Sequence, residues 1–221
     1  MLEKGIFAIY KPKGWSSYDV IRRLKKETGI KKIGHGGTLD PFAEGVLVVG
    51  IGREGAKQLG TILKNTLKTY QGVIVFGASS TTDDPEGVVT QQENFVMPSR
   101  EAIEESCKKF IGEIWQTPPI YSAVKLQGQP AYKRVRRGEE VVLQPKQVLV
   151  KEIKVLGYNH PEVKIEVTCG SGVYIRALAR DIAEELGTKG YLKELVRTRI
   201  WSAEHKEVDF AIADAQRLVR D

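Results

Sequence analysis

The chain is poor in the residues that build disulfide frameworks and metal centres. Its 221 residues include only two cysteines, Cys107 and Cys169, and three histidines, His35, His160 and His205. The cysteines are too few and too far apart for a disulfide scaffold or a Cys-x-x-Cys motif, and the histidines lack metal-ligand spacing. We therefore expect no structural disulfide, no bound metal and no redox cofactor.

Long apolar runs are also missing. No stretch approaches the length that crosses a bilayer, and the first apolar run, Gly5 to Tyr10, is too short for the core of a signal peptide. We therefore expect a cytoplasmic protein. A hydrophobic fraction of 41% is sufficient for a packed core, and the length is typical of one domain, with or without an insertion.

One basic stretch lacks acidic residues altogether. From Lys125 to Arg137 the chain has five basic residues and no Asp or Glu. A solvated helix face would account for such a run. A stripe of cations with an aromatic residue among them is also typical of a surface that binds nucleic-acid phosphates. The net charge of +6 favours a polyanionic partner but is a weak signal by itself.

The apolar pattern alternates between strands and helices without a strict βα repeat, which favours an α+β fold. Predicted strands cover residues 5–10, 46–51, 68–76, 148–156 and 163–167. Four helices are predicted. Two cover residues 56–63 and 174–186, and the other two begin after N-cap residues, at Ser16 or Ser17 and at Ser99. The stretch 77–98 is polar and turn-rich, and long connections of this kind are often functional.

The stretch from Gly34 to Leu47 places one acid, Asp40, between a glycine-rich approach and a proline. Pro41 disfavours the α region for Asp40, which therefore lies in extended backbone on a loop. Gly36 and Gly37 carry no Cβ, so another backbone segment or a ligand can come close. Asp-Pro also starts many ordinary turns, so this loop alone does not establish catalysis.

The loop resembles the catalytic loop of the TruB family of tRNA pseudouridine synthases, G-H-T-G-T-L-D-P, with Gly36 where the family usually has threonine. Other family motifs follow in the family's order: Lys11-Pro12-x-Gly14, Lys68-Thr69-Tyr70, and the stretches 80–87, 116–138, 171–178 and 195–200. Departures are Thr81 in place of an aspartate, Val135 in place of an alanine, and Trp201 near a glycine position. Several motifs in the right order are far more specific than any one of them.

The resemblance implies a pseudouridine synthase catalytic fold with a mixed, mainly antiparallel central sheet flanked by helices and loops. It implies one catalytic domain over residues 1–221 with an inserted RNA-contacting segment around 77–140. We expect no room for the small RNA-binding PUA domain that many members carry. The implied activity is isomerisation of uridine at position 55, in the T-loop of tRNA, without a cofactor. We expect a monomer that acts on free tRNA, rather than a guide-RNA-dependent enzyme like dyskerin.

The resemblance assigns catalytic roles to Asp40, Tyr70 and Arg176. The chemistry needs a base flipped out of the RNA and a carboxylate kept ionised by a cation. Arg176 lies near a helix start, where the macrodipole disfavours a cation, so we expect it to pair with Asp40. Tyr70 offers a stacking face for the base and is implied to assist proton removal.

Further residues are expected to contact the substrate. We expect His35 to occupy the space that the flipped base vacates. The others are Lys11, Asp84, Lys125, Tyr132, Lys133, Arg134, Arg136, Arg137, Tyr174 and Leu195.

Two other functions are compatible with parts of the sequence. Gly50, Gly52 and Gly55 satisfy the G-x-G-x-x-G fingerprint of NAD-binding folds, but the strand ending at Phe76 is not followed by the acid that would hold the ribose. Ala56 stands where a P-loop needs lysine. A non-catalytic RNA-binding module would account for the basic stretch but not for the motifs around the catalytic candidates.

Overall fold

A computed structural model describes residues 3–204 and 208–218 of the chain, and His205 lies outside these ranges. The strands are β1 (Gly5–Lys11), β2 (Ile33–Gly36), β3 (Glu44–Ile51), β4 (Leu67–Phe76), β5 (Ala78–Ser80), β6 (Val89–Gln91), β7 (Gly112–Gln116), β8 (Lys125–Leu126), β9 (Gln129–Pro130), β10 (Lys146–Asn159), β11 (Glu162–Cys169), β12 (Gly190–Trp201), β13 (Asp209–Ala211) and β14 (Gln216–Arg217). The helices are α1 (Ser17–Thr28), α2 (Gly52–Ile62), α3 (Arg100–Lys109), α4 (Ala131–Val135) and α5 (Ile175–Glu185), with a 3-10 turn at Ile212–Asp214. Within the described ranges no helix combines the length and the apolar character that a membrane span needs.

The chain forms two compact units, which divide between Gln71 and Gly72 and again between Glu194 and Leu195. The first unit therefore combines two segments that are distant in sequence, whereas the second is continuous. The pairing is mixed and mainly antiparallel, which confirms the predicted α+β class.

Strand β3 is the centre of the first unit. Its whole length pairs antiparallel with β1, and β1 also pairs parallel with β14. On its other edge, β2 pairs antiparallel with the end of β3, while β12 pairs parallel with its beginning, at Glu44 and Gly45. This arrangement places the loop between β2 and β3, which contains Asp40, next to the start of β12.

Helix α1 begins where the sequence predicts, and the structure decides between the two candidate caps. Ser16 is the N-cap and forms a capping box with Asp19. Val20, Ile21 and Leu24 then lie on one face and pack in a core with residues of β1 and β3. Because Ser16 supplies the cap, the hydroxyl group of Ser17 is available for another contact.

In the structure, the glycines of the G-x-G-x-x-G stretch allow helix α2 to pack closely against β3 and β1. A Cβ atom on Gly50 would lie 2.3 Å from the carbonyl oxygen of Gly55, and one on Gly55 would lie 2.5 Å from the carbonyl oxygen of Gly5. Helix α2 therefore approaches β3 and β1 more closely than side chains would allow. The parallel neighbour of β3 is the distant β12 rather than the next strand of a βαβ unit, which removes the structural basis of the NAD-binding alternative.

The second unit contains the long antiparallel pair β10–β11, which includes the two predicted strands 148–156 and 163–167, extends beyond both ends of each, and turns at residues 160–161. β7 pairs with the other edge of β10. Ser99 caps α3 as expected, and α5 has the predicted buried face. The connection 77–98 includes a short hairpin, β5–β6, which the polar sequence did not predict.

Candidate functional site

The half-buried Asp40 lies on a loop whose main chain is fixed just before the acid. The N–H group of Leu39 donates to the Oγ atom of Ser17 at 3.0 Å, and the Ser17 hydroxyl donates to the carbonyl oxygen of Leu39 at 3.1 Å. The N–H group of Ala43 then donates to the carbonyl oxygen of Asp40 at 3.2 Å, which closes a turn. Ser17 thus satisfies both main-chain groups of the residue that precedes Asp40.

The main chain is also fixed just after Asp40. The carbonyl oxygen of Pro41 accepts from the N–H group of Gly14 at 2.8 Å and from Nζ of Lys11 at 3.4 Å. Lys11 has no exposed surface, and its ammonium group also donates to the carbonyl oxygens of Trp15 at 2.5 Å and Pro12 at 3.0 Å. The sequence predicted an RNA contact for Lys11, which stays a prediction; the structure places the side chain in the interior, where its ammonium group donates to these three carbonyl oxygens.

Arg197 fixes both ends of the loop and was not among the predicted site residues. Its exposed fraction is 1%; Nε donates to the carbonyl oxygen of Val46 at 2.7 Å and Nη2 to that of Gly37 at 2.8 Å. The guanidinium carbon lies 6.0 Å from the ring centroid of Tyr70. Leu195 is buried too, so the period of two along β12 was a signal that Arg197 faces inward.

Gly45 permits the close pairing of β3 with β12. It has a φ of 109°, and a Cβ atom there would lie 2.2 Å from the carbonyl oxygen of Arg197. No side chain fits at that distance, so a glycine is required at the point where the loop enters β3.

His35 and Tyr70 belong to the same unit as Asp40. Burial, and secondarily the charge of Arg197, lower the pKa of His35 below its ordinary value, so its imidazole is neutral at neutral pH. Its Nδ1 atom is buried and makes no hydrogen bond within the described part of the chain. Tyr70 is only 8% exposed, and its stacking on a flipped base stays a prediction.

Arg176 lies in the second unit, in the first turn of α5, and is buried. Its Nη1 atom lies 3.1 Å from Oδ2 of Asp84 and donates to the carbonyl oxygen of Thr82 at 2.9 Å. Nη2 donates to the carbonyl oxygen of Tyr121 at 3.1 Å. Asp40 and Arg176 are in different units, and their pairing stays a prediction.

Asp84 was predicted to contact RNA, but its side chain is inside the second unit, with an exposed fraction of 2%. Besides Arg176 it accepts from the hydroxyl group of Thr82 at 2.5 Å and from the N–H group of Glu86 at 3.0 Å. A buried carboxylate needs such partners, so in this structure Asp84 shapes its loop and positions Arg176.

A second arginine of α5 holds the neighbouring acid. Nη1 of Arg180 donates to Oδ2 of Asp83 at 2.8 Å, and Nη2 donates to the carbonyl oxygen of Thr117 at 3.0 Å. Asp83 has a φ of 59°, and its carbonyl oxygen accepts from the N–H group of Leu192. The loop 80–87 is therefore fastened to α5 through two adjacent acids.

One side chain contacts both main-chain groups of Tyr174, the N-cap of α5. Oε1 of Gln116 accepts from the N–H group of Tyr174 at 2.8 Å, and Nε2 of Gln116 donates to its carbonyl oxygen at 3.2 Å. Gln116 is buried. This contact fixes the start of α5 two residues before Arg176.

The predicted RNA-contacting stretch folds as a small hairpin, β8–β9, followed by α4. Arg134 and Arg137 both form ion pairs with Glu139, just beyond the acid-free stretch. The guanidinium group of Arg136 lies 5.6 Å from the ring centroid of Tyr132, while Lys125 and Lys133 are exposed. Since only residues 131–135 are helical, one long solvated helix face does not describe this stretch.

Comparison with known proteins places this geometry in a family. The model of the TruB family pseudouridylate synthase, N-terminal domain, matches residues 25–175. The "tRNA pseudouridine synthase B" of Thermobifida fusca is 42% identical over 204 residues, which are 89% of this chain and 69% of that protein. The protein of the same name from Prochlorococcus marinus (strain NATL2A) is 41% identical, over 90% of this chain and 63% of that protein.

A similar fold is found in a solved structure of an H/ACA RNP bound to a substrate RNA containing 2'-deoxyuridine. The matching chain has a TM-score of 0.65 and is 27% identical, and the match covers 92% of this chain and 49% of that one. This chain thus spans about two thirds of the length of these curated relatives and about half of the solved chain. From its sequence and its fold together, the chain belongs to the TruB family of pseudouridylate synthases.

Proposed function

We propose that this protein isomerises uridine to pseudouridine in tRNA, at position 55 in the T-loop. Membership of the TruB family supports the reaction, and relatives named tRNA pseudouridine synthase B support the substrate. The observation that carries the proposal is the position of Asp40 in a loop whose main chain is fixed on both sides, by Ser17 before it and by Gly14 and Lys11 after it.

The reaction breaks the bond between N1 of the base and the ribose, turns the base and joins C5 to the ribose; C5 loses its proton and N1 gains one, so the change is an isomerisation. Its reacting uridine must leave the RNA stack, and a carboxylate then acts as nucleophile or base. In this proposal Asp40 supplies the carboxylate, Arg176 keeps it ionised, and Tyr70 stacks on the flipped base. The contacts to the main chain on both sides of Asp40 hold the backbone from which the carboxylate projects, and this limits the orientations that the carboxylate can adopt.

In the same proposal the protein acts as a monomer on the T-arm of tRNA, and the segment Lys125–Arg137 contacts its phosphates. The exposed cations Lys125, Lys133 and Arg136 support this role. Arg134 and Arg137 would have to exchange Glu139 for phosphate oxygens, which is feasible because their ion pairs are partly exposed and such pairs contribute little to stability.

The reaction is tested with the purified protein and an unmodified tRNA transcript, by mapping pseudouridine along the RNA. We expect pseudouridine at the T-loop uridine and at no uridine of a control transcript in which that uridine is cytidine. Tight binding of the transcript without any pseudouridine would instead identify a non-catalytic RNA-binding module.

The basic segment is tested by replacing Lys133, Arg134, Arg136 and Arg137 together with glutamine. Each phosphate contact that is lost should lower the slope of log K against log salt by roughly 0.7–0.9, while the rate at saturating tRNA should change little. Wild-type affinity and slope in this variant would show that tRNA docks elsewhere.

A further inference from the structure

A groove open to solvent lies between β2 and α2 in the first unit. Its volume is about 410 Å³, and it is lined by Lys32, Ile33, Gly34, Arg53, Ala56 and Lys57. The frame is fixed, because the N–H group of Gly52 donates to the carbonyl oxygen of Lys32 at 2.8 Å and Gly34 packs against Ala56. The groove therefore does not depend on the side chains of its three cations.

Those three cations lack partners. Lys32, Arg53 and Lys57 are exposed, and their side chains form no ion pair or hydrogen bond within the described residues. The acid next to Arg53, Glu54, does not line the groove. Three like charges around one concave surface repel each other, and an anion between them would remove that repulsion.

The position of Arg53 adds to the excess of positive charge around the groove. It lies in the first turn of α2, where the positive end of the helix dipole disfavours a cation. Lys32, immediately before β2, lies at the same end of the helix, because its carbonyl oxygen accepts from the N–H group of Gly52. Positive charge is thus concentrated where the fold itself already supplies a positive potential, which is an arrangement suited to a strongly charged anion.

Resting on the proposed function, we infer that this groove binds the phosphate backbone of the RNA whose uridine reaches Asp40. Two lysines and an arginine line it, and no aromatic residue does. It can therefore contact phosphates but offers no platform on which a base could stack, so it positions the RNA without reading its sequence.

The groove is close to Asp40 along the chain, so one RNA molecule can contact both. Strand β2 runs from the groove directly into the loop of Asp40. The eight Cα–Cα steps from Lys32 to Asp40 span at most about 29 Å even when fully extended. A nucleic-acid duplex advances about 3.4 Å per nucleotide of each strand, so the groove lies within about nine base pairs of the reacting uridine.

The test compares two triple variants of the full chain. The groove variant is Lys32→Gln/Arg53→Gln/Lys57→Gln. The control variant, Lys108→Gln/Lys146→Gln/Lys164→Gln, removes the same charge from exposed positions of the second unit. Binding to a tRNA transcript is measured at several salt concentrations, with thermal unfolding to confirm that both variants fold.

We expect the groove variant to weaken tRNA binding and to lower the slope of log K against log salt by about two units, since each lost contact lowers it by roughly 0.7–0.9. KM should rise while kcat at saturating tRNA stays the same.

Two results would overturn the inference: unchanged binding of tRNA by the groove variant, or an equal loss of binding in the control variant. Pseudouridine formation by the wild type is measured in the same samples. If the wild type forms pseudouridine and the groove variant binds normally, only the groove inference fails. If the wild type forms none but the groove variant loses affinity and slope, only the proposed reaction fails.

Discussion

Two loops of this protein contain acids and are held by arginine side chains, but the arginines contact different groups in the two loops. In the loop 37–43 of the first unit, Lys11, Ser17 and Arg197 donate to main-chain carbonyl oxygens. In the loop 80–87 of the second unit, the carboxylates themselves are the partners of Arg176 and Arg180. A carboxylate bound in this way gives shape to its loop, whereas in the loop 37–43 donors from three other segments give shape to the main chain directly.

The largest expected effect is on catalysis. Asp40→Asn should lower pseudouridine formation by at least about 10³-fold, equivalent to about 4 kcal/mol of transition-state stabilisation, because an amide cannot replace a carboxylate as nucleophile or base. The free energy of unfolding should change by less than about 1 kcal/mol, since the loop is held through its main chain. Single-turnover assays and urea denaturation measure the two quantities.

Glu44→Gln is the matched control for Asp40→Asn. Glu44 begins β3, accepts from the hydroxyl group of Tyr10 at 2.7 Å and has no assigned role in the reaction, so most activity should remain. Detectable multiple turnover by Asp40→Asn, or loss of activity in Glu44→Gln alone, would contradict the assignment.

The second effect is on stability and belongs to the other loop. Asp84→Ala removes one partner of a buried ion pair and leaves Arg176 uncompensated, so unfolding should become easier by about 3–5 kcal/mol. Asp83→Ala should cost less, because its pair with Arg180 is partly exposed. Urea denaturation of both variants checks the order, and a cost for Asp84→Ala no larger than that for Asp83→Ala would show that the buried pair is not the dominant contact.

The third effect concerns the carbonyl contacts of Arg197. Arg197→Lys keeps the charge but cannot reach both Val46 and Gly37 with a planar group, so about 1–3 kcal/mol of stability should be lost for the unsatisfied carbonyl group. The rate at saturating RNA should fall more than the affinity. Arg199→Lys, on the same strand and in an exposed pair with Asp209, should leave the rate constant and affinity close to wild type; an equal loss in both variants would rule out a specific role for Arg197.

The smallest effect is on pH dependence. The pKa of His35 is lowered in the folded state from its ordinary value of 6.5, so its contribution to stability is fully present above that value and is lost as the pH falls below it. Between pH 7.5 and pH 5, wild type should therefore lose more stability than His35→Gln, by at most about 1.4 kcal/mol per pH unit. His160→Gln, at an exposed position, is the control, and parallel curves for wild type and His35→Gln would refute the expected effect of burial.

Elements with strong local signals were predicted from the sequence. Ser16 and the spacing of Val20, Ile21 and Leu24 specify α1, and the apolar run after Asp40 specifies β3. Strands β2 and β7 were missed because β2 contains two glycines and β7 alternates without a fully apolar face. Such strands depend on their neighbours more than on their own residues.

The sequence identified the motifs of the candidate site but not all the contacts that their residues make. Lys11 and Asp84 sit beside prolines and glycines, which is typical of exposed loops, and both are buried. Their partners are set by the tertiary fold. For example, the carbonyl oxygen of Thr82, two residues before Asp84, accepts a hydrogen bond from Arg176, which is 94 residues away in the sequence. A local pattern shows which residue types are present, but it does not show which of them the fold encloses.

The contacts of Arg197 also set an order of events during synthesis. Arg197 reaches Val46 across 151 residues and Gly37 across 160, so the ribosome must complete the whole second unit before these carbonyl groups meet their donor. At about 5–20 residues per second, the interval is on the order of 10–30 s. The loop of Asp40 can therefore contact Lys11 and Ser17 early but gains its contact with Arg197 late, and a nascent chain cannot adopt the complete arrangement until the second unit has been made.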